Sequence, residues 1–498
     1  MGNRKGNSIH LSPQTTVLRE VHKMAEATNQ NEKFVGIQIS PISFVDEGVE
    51  QVLDTLQNRV GVNVLMVGTI SWLGLKVGRR ISWQLEGWPD HGVKEPNSML
   101  GGSYLTPHPE YYANTFIRNF RAPDPEMKGL DVLEMITASA RKRGMKIIPE
   151  MMEPLFRYAG HGSAAGIDVP NMPQCMEVDV FGRIGGEPCT SNLNYRNWWH
   201  SIMEDHCRNY DIDGIMWCNE RKSPLDKMIS GQAPACFCPQ CRKEAIERGI
   251  DVERARIAFV KVYDYFQRAR AGAEMPDGAM VEFLRVLLEN PEILLWERFW
   301  IERNKDLDRE LHGIVKWCNP KLSFGLNVWN RNHFNPFRKA QWPWEEQTMY
   351  CDWVKPITYQ HQSGLVYYGE MSAFYKSILR DLTPQEMNPI MYKLLHLNEA
   401  PWDEVVQKGM DPDTYVYGQA VDTVKAVKGK AKVYMGIGVD APRSRADQAK
   451  CTPDIVRRSV LASYRAGAEG VVFSPNYAGM ELTNLDGAAD ALKELGLK

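Results

Sequence analysis

Gly214-Ile215-Met216-Trp217-Cys218-Asn219-Glu220 is a short apolar run that stops on an amide and a carboxylate. A run so brief and so apolar reads as a parallel strand buried on both faces. Seven more runs of this kind occupy residues 34–40, 62–68, 146–150, 323–328, 353–359, 432–439 and 470–474. Helical patterns lie between them, over residues 131–143, 195–209, 292–317 and 452–466. Arg143-Gly144 and Arg465-Ala466-Gly467 stop two of these helices just ahead of the next strand. A last helical pattern, 484–497, follows the eighth strand. Eight strand–helix units predict an α/β fold, a single (β/α)8 TIM barrel. An open doubly wound sheet is the alternative. Against a dinucleotide fold, Ser40-Pro41-Ile42-Ser43 stands after the first strand where a Gly-rich phosphate loop is required.

A minimal barrel takes about 250 residues, and this chain has 498. The excess is expected as long βα loops, with insertions over 71–130, 151–194, 221–291 and 361–430 of one catalytic domain, 33–498. A polar lead-in, 1–32, precedes it, with a helical pattern near residues 16–27. All four insertions leave the C-terminal ends of strands, the face where barrel enzymes build active sites, so a walled pocket is expected there. Trp72, His91 and His108 in the first insertion are candidates for a lid.

Hydrophobic content of 43% and charged content of 24% are those of a globular protein. With 59 basic and 62 acidic side chains and a net charge of −3, there is no electrostatic case for nucleic acid or an acidic membrane surface. No uninterrupted apolar run approaches the roughly 20 residues that span a bilayer. The start, Met1-Gly2-Asn3-Arg4-Lys5-Gly6, lacks the apolar stretch of a secretory signal, and Gly6 removes the Ser or Thr of a myristoylation site. Ten cysteines, several clustered at metal-ligand spacing, fit a reducing compartment, and a cytoplasmic location is expected.

Cys236-Phe237-Cys238-Pro239-Gln240-Cys241 lets three thiolates converge on one ion. Zinc is the expected metal, because it takes four sulfurs tetrahedrally. Cys189 is the choice for the fourth ligand, with Cys175, Cys207 and Cys218 as rivals. Four sulfur ligands leave no open position, so the expected role is structural.

Glycosidic bond cleavage needs two carboxyl groups, one to protonate the leaving oxygen and one to attack or to activate water. Glu220 follows strand four directly and is the candidate acid/base; an ion pair with Arg221 is the competing reading. Asp440, in Gly438-Val439-Asp440-Ala441-Pro442 at the end of strand seven, is the candidate partner, against a loop cap or a pair with Arg443 or Arg445. Glu150 and Glu153 are reserves, with Glu370 behind them. Around the mouth, Gln38, Glu150, Asn219, Trp329, Asn330, His333, Tyr359, His361 and Asn476 are candidates to bind substrate. They supply donors, acceptors and stacking faces for a polyhydroxy ligand. The 14 Trp and 19 Tyr fit the same ligand class, although core packing accounts for most of them.

Cys189-Thr-Ser-Asn-Leu-Asn-Tyr195-Arg196, Asn219-Glu220 and the Cys236–Cys241 cluster together resemble the zinc-clasp segment of family 42 β-galactosidases, retaining (β/α)8 glycosidases. The segment is also similar to barrels known only as hypothetical glycosyl hydrolases. The resemblance implies Glu220 as acid/base and Cys189, Cys236, Cys238 and Cys241 as ligands of a structural zinc. It covers about a tenth of the chain. The family's nucleophile is a Glu at the end of strand seven, where this chain offers the shorter Asp440. The expected function is therefore a glycoside hydrolase with a carbohydrate substrate and no nucleic-acid or membrane partner, and a homo-oligomer stays open. Two other readings compete. One is a metal-dependent sugar isomerase or lyase using Glu150, His333 and His361; the other is a carbohydrate-binding barrel without catalysis.

Overall fold

The computed structural model describes residues 33–71, 87–89, 102–118, 121–122, 129–153, 171–441 and 445–498. The expected lead-in with its helix, and Trp72 and His91, lie outside the described residues. Eight parallel strands form the centre: β1 Phe34–Ile39, β2 Val64–Ser71, β3 Lys146–Met152, β4 Gly214–Cys218, β5 Ser323–Val328, β6 Trp353–Thr358, β7 Lys432–Gly438 and β8 Gly470–Ser474. Each pairs with the next, and β1 pairs with both β2 and β8, in registers such as Gly36↔Val64 and Phe34↔Gly470. The sheet is therefore closed, which makes it a (β/α)8 barrel and rules out the open doubly wound sheet.

The helical ring runs in the same order: α1 Val49–Asp54, α2 Val132–Lys142, α3 Leu193–Asn209, α4 Glu292–Cys318, α5 Pro336–Gln341, α6 Tyr417–Val427, α7 Pro453–Arg465 and α8 Leu482–Glu494. Side-chain caps set several starts. Asp131 accepts from the amides of Leu133 and Glu134, Asn192 from those of Asn194 and Tyr195, and Thr452 from that of Ile455. The described parts of the long loops are structured. After β4 come helices Pro224–Ile229, Pro239–Glu247, Val252–Arg270 and Ala279–Glu289; after β6 come Gln360–Tyr375 and Pro384–Leu395. No helix among the described residues is long and apolar enough to cross a membrane.

Alternate residues of each strand face the barrel axis. The lower and middle inward positions are apolar, and Phe34, Val64, Met66, Ile148, Met216, Trp353 and Val472 pack as one cluster. Outward residues such as Ile37, Ile147, Ile215, Trp217, Phe324 and Val354 join the helices in a second, larger core. A cavity of about 580 Å3 opens among the first residues of strands, with Phe34, Lys146, Ser323, Trp353 and Lys432 in its walls. Barrel chemistry resides at the opposite face, so this cavity is not where an active site is sought.

Inward packing leaves no room at position 325. A Cβ on Gly325 would stand 2.0 Å from the Trp353 ring. Gly325→Ala is expected to cost about 1–3 kcal/mol through overpacking, read as a lower denaturation midpoint. A midpoint equal to that of the wild type would contradict this packing.

Candidate active site and metal clasp

At the C-terminal end of the barrel the inward positions change from apolar to polar. Gln38, Glu150, Asn327 and Lys355 are all buried there, and Lys355 has no exposed surface at all. The Lys355 ammonium donates to Gln38 Oε1 at 3.1 Å and to Asn327 Oδ1 at 2.8 Å. Each acceptor passes the contact outward. Gln38 Nε2 donates to Glu150 Oε1 at 2.5 Å. Asn327 Nδ2 lies 2.9 Å from Cys218 Sγ, whose thiol in turn reaches Glu220 Oε1 at 3.3 Å. One buried cation thus links two carboxylates on opposite arms of a single network. A lysine in the interior requires such partners, because an uncompensated buried charge is costly.

Tyr359 closes the same space. Its hydroxyl is bonded to Ser474, and Lys355 Nζ lies 5.9 Å from its ring centre. Burial holds the phenol well above its usual pKa, and the charges of Glu150, Glu220 and Cys218 push it further up. Both carboxylates therefore act on one buried hydroxyl. Glu150 lies within β3, which runs on to Met152. It points into the barrel by the two-residue period rather than standing at the strand's end as the sequence suggested.

Glu220 is only partly buried, and Arg221 is not its partner. The Arg221 guanidinium binds Glu153, to which Tyr195 Oη also donates at 2.9 Å. Arg221 and Glu153 belong to a buried charge cluster with Glu177, Lys227 and the half-buried Glu187. Beneath Asn219, Asp308 of α4 accepts from Trp217 Nε1 at 2.8 Å and from Asn219 Nδ2 at 3.5 Å. Among the described residues Asn219 Oδ1 has no hydrogen-bond partner. It borders a narrow cleft with Asp308, Asn327 and Trp329, and the Arg338 guanidinium lies 4.5 Å from the Trp329 ring centre.

Other candidates are engaged elsewhere. Asp440 has φ of 49° and caps α8: its oxygens accept from the Glu481 amide at 2.8 Å and from Asn484 Nδ2 at 3.0 Å. Asn476 Oδ1 accepts from the Ser40 amide at 3.1 Å, tying β8 to the end of β1. Asn330, Ser363, Tyr415 and His333 form a chain of contacts within the wall. His361 is buried too. Glu370 is held by Arg331 and Asn335. His108 faces Asp205 of α3, with Nδ1 2.7 Å from Oδ1. The sequence reading passed over Lys355, Asn327 and Asp308. The available signal was a cation within a β-run, Trp353-Val354-Lys355-Pro356-Ile357, at an inward position.

Cys189, Cys236, Cys238 and Cys241 are all buried, and their sulfurs lie within 4.8 Å of one another. Cys189 Sγ is 3.4 Å from Cys241 Sγ and 3.6 Å from Cys238 Sγ. Backbone amides of Val178 and Cys238 point at Cys236 Sγ, both at 3.3 Å, which favours thiolate over thiol. This set could hold a metal ion with no open position. Cys175 stays outside it; its carbonyl accepts from the Cys189 amide at 2.7 Å, and burial pushes its thiol up to about 12. The clasp joins the segment after β3 to the loop after β4, beside the Glu153–Arg221 cluster.

No family model matches the chain, and no curated protein matches its sequence. Solved structures do resemble it. An α-L-fucosidase, isoenzyme 2, from Paenibacillus thiaminolyticus is 11% identical, with a TM-score of 0.44 over 93% of this chain and 49% of that one. The PgaB (BpsB) glycoside hydrolase domain from Bordetella bronchiseptica is 9% identical, with a TM-score of 0.47 over 93% and 98%. A β-galactosidase from the haloarchaeon Halorubrum lacusprofundi is 13% identical, with a TM-score of 0.49 over 93% and 58%. The chain thus spans about half the length of the fucosidase and somewhat more of the galactosidase. These likenesses concern the fold alone.

Burial raises the Asp308 carboxyl to about 7, with the Trp217 and Asn219 bonds opposing and the Glu153 charge adding to the rise. From about pH 4 to about pH 7 the folded state therefore keeps a proton that the unfolded chain, with a carboxyl pKa of about 3.9, releases. This group's contribution to stability falls as pH rises through that window. In urea denaturation, Asp308→Asn is expected to gain stability relative to the wild type between pH 4.5 and pH 7.5. A difference that does not grow with pH would contradict the assignment.

Proposed function

We propose that this barrel hydrolyses glycosidic bonds at its C-terminal mouth, with Glu220 as general acid/base and Glu150 as the second carboxylate. The observation that supports the reading is the buried hydrogen-bond network in which Lys355 connects Glu150, through Gln38, with Glu220, through Asn327 and Cys218. Glu220, at the rim and partly exposed, suits proton delivery to the leaving oxygen as the glycosidic bond breaks. Glu150, buried and oriented by Gln38, suits attack at the anomeric carbon or removal of a proton from water, the choice following from the carboxylate separation. Asp440, the partner expected from sequence, serves in this account as the anchor of α8 on β7. Asn219, Gln38, Trp329 and Tyr359 supply polar and stacking contacts to the sugar. The resemblance to β-galactosidases makes a β-galactoside the first substrate to try.

Turnover of a panel of 4-nitrophenyl glycosides and oligosaccharides tests the pairing. Glu220→Gln and Glu150→Gln are each expected to lower turnover on the order of 10²–10⁴-fold while the fold persists by circular dichroism. Asp440→Asn is expected to lower thermal stability and retain turnover. Loss of turnover in Asp440→Asn with full activity in Glu150→Gln would return the second role to Asp440. Full activity in Glu220→Gln would sink the reading, and binding without turnover across the panel would favour a carbohydrate-binding barrel.

The clasp is assigned to a structural zinc, which would fix the wall beside Glu220 and take no part in the reaction. Elemental analysis of protein produced with zinc is expected to find one zinc per chain, lost in Cys189→Ser and Cys241→Ser. Protein free of any bound metal would refute this assignment.

A further inference from the structure

Between the helices that follow β5 and β6 lies a second cavity, of about 380 Å3. Its walls include His333, Lys339, Trp342, Trp344, Asp422 and Lys425, and no member of the Lys355 network borders it. That volume is within the range of small-molecule sites. His333 is 3% exposed, and its Nε2 has no hydrogen-bond partner among the described residues.

The chain behind His333 sets which nitrogen carries its proton. Asn330 Nδ2 donates to Ser363 Oγ at 3.4 Å, and Ser363 Oγ donates to Tyr415 Oη at 3.3 Å. The Tyr415 proton is then free for His333 Nδ1, 2.9 Å away. Burial, and then the charge of Lys339, lower the imidazole pKa to about 3, so the ring is neutral. A neutral ring that accepts at Nδ1 carries its hydrogen on Nε2. The wall of the cavity thus contains a buried N–H donor without an acceptor among the described residues, an unfavourable state that a bound acceptor would relieve.

The surrounding groups specify the acceptor's chemistry. Lys339 and Lys425 are both exposed, and neither is drawn into an ion pair among the described residues. Asp422 is the single acidic residue in the wall, so the balance is cationic. Trp342 and Trp344 offer partly exposed indole faces. A negatively charged oxygen answers the lysines and the imidazole N–H, and a ring with a C–H face answers the indoles.

We propose that this cavity binds a small ring-bearing oxyanion, a sugar acid or a sugar phosphate, at a site separate from the barrel mouth. The inference does not depend on the hydrolase reading. Calorimetric titration of the full chain with D-glucuronate and with D-glucose 6-phosphate tests it. At least one probe is expected to bind, with affinity at least tenfold weaker in the Lys339→Ala/Lys425→Ala double variant and unchanged in Glu220→Gln. Both lysines are at the surface, so the double variant keeps the fold. Glucuronate alone binding identifies the carboxylate class, and the phosphate ester alone the phosphate class. No binding of either probe, binding unaffected by the double variant, or binding lost in Glu220→Gln overturns the proposal. Nitrogen-15 resonances of labelled histidine are expected to place the His333 proton on Nε2; a proton on Nδ1 overturns the donor assignment.

Discussion

A lysine ammonium with no exposed surface cannot stay charged in a barrel interior unless the surrounding groups replace water. Lys355 meets that demand with Gln38 Oε1 and Asn327 Oδ1, supplied by β1 and β5. Satisfying the cation fixes both amides, and their remaining polar atoms then fix Glu150 and the Cys218–Glu220 pair. The geometry of the mouth follows from this one requirement. Below the polar layer the barrel is filled by Phe34, Met66, Met216, Trp353 and Val472.

The wall around the mouth is braced by charge as well as by sulfur. Arg221 is drawn from Glu220 to Glu153, which leaves the Glu220 carboxylate without a guanidinium partner among the described residues. Glu177 and Glu187 come from an antiparallel pair of short strands after β3, Met176–Val178 and Ile184–Pro188, and Lys227 from the loop after β4. The same two segments carry Cys189 and the Cys236–Cys241 cluster. A buried ion pair alone contributes little net stability, but it penalises alternatives in which either charge is left alone. Ion cluster and clasp thus restrict the same two loops, and Asn219-Glu220 stands at the root of one of them.

The barrel was legible because each strand is a brief apolar run and because helix stops such as Arg143-Gly144 sit just before the next strand. These are local signals. The clasp was legible for the same reason, three of its cysteines lying within six residues. The position of Glu220 just after β4 could be read from the sequence, and its role as acid/base is part of the proposal. Asp440 was read by the same rule, but its actual partners, Glu481 and Asn484, lie more than forty residues away and bind it through a tertiary contact. Glu150 was half visible, since its inward direction depends on where β3 starts and how far it runs. Lys355 was hidden by the expectation that a buried strand carries no charge, which holds only until two amides on other strands converge on one point.

The claim that one buried cation organises both carboxylates is tested most directly by Lys355→Met, which keeps the side chain's bulk and removes the charge. Turnover of a glycoside hydrolysed by the wild type, measured beside circular dichroism, gives the answer. The account predicts a folded barrel whose turnover falls to the level of the Glu220→Gln variant. A folded Lys355→Met protein with undiminished turnover would contradict it.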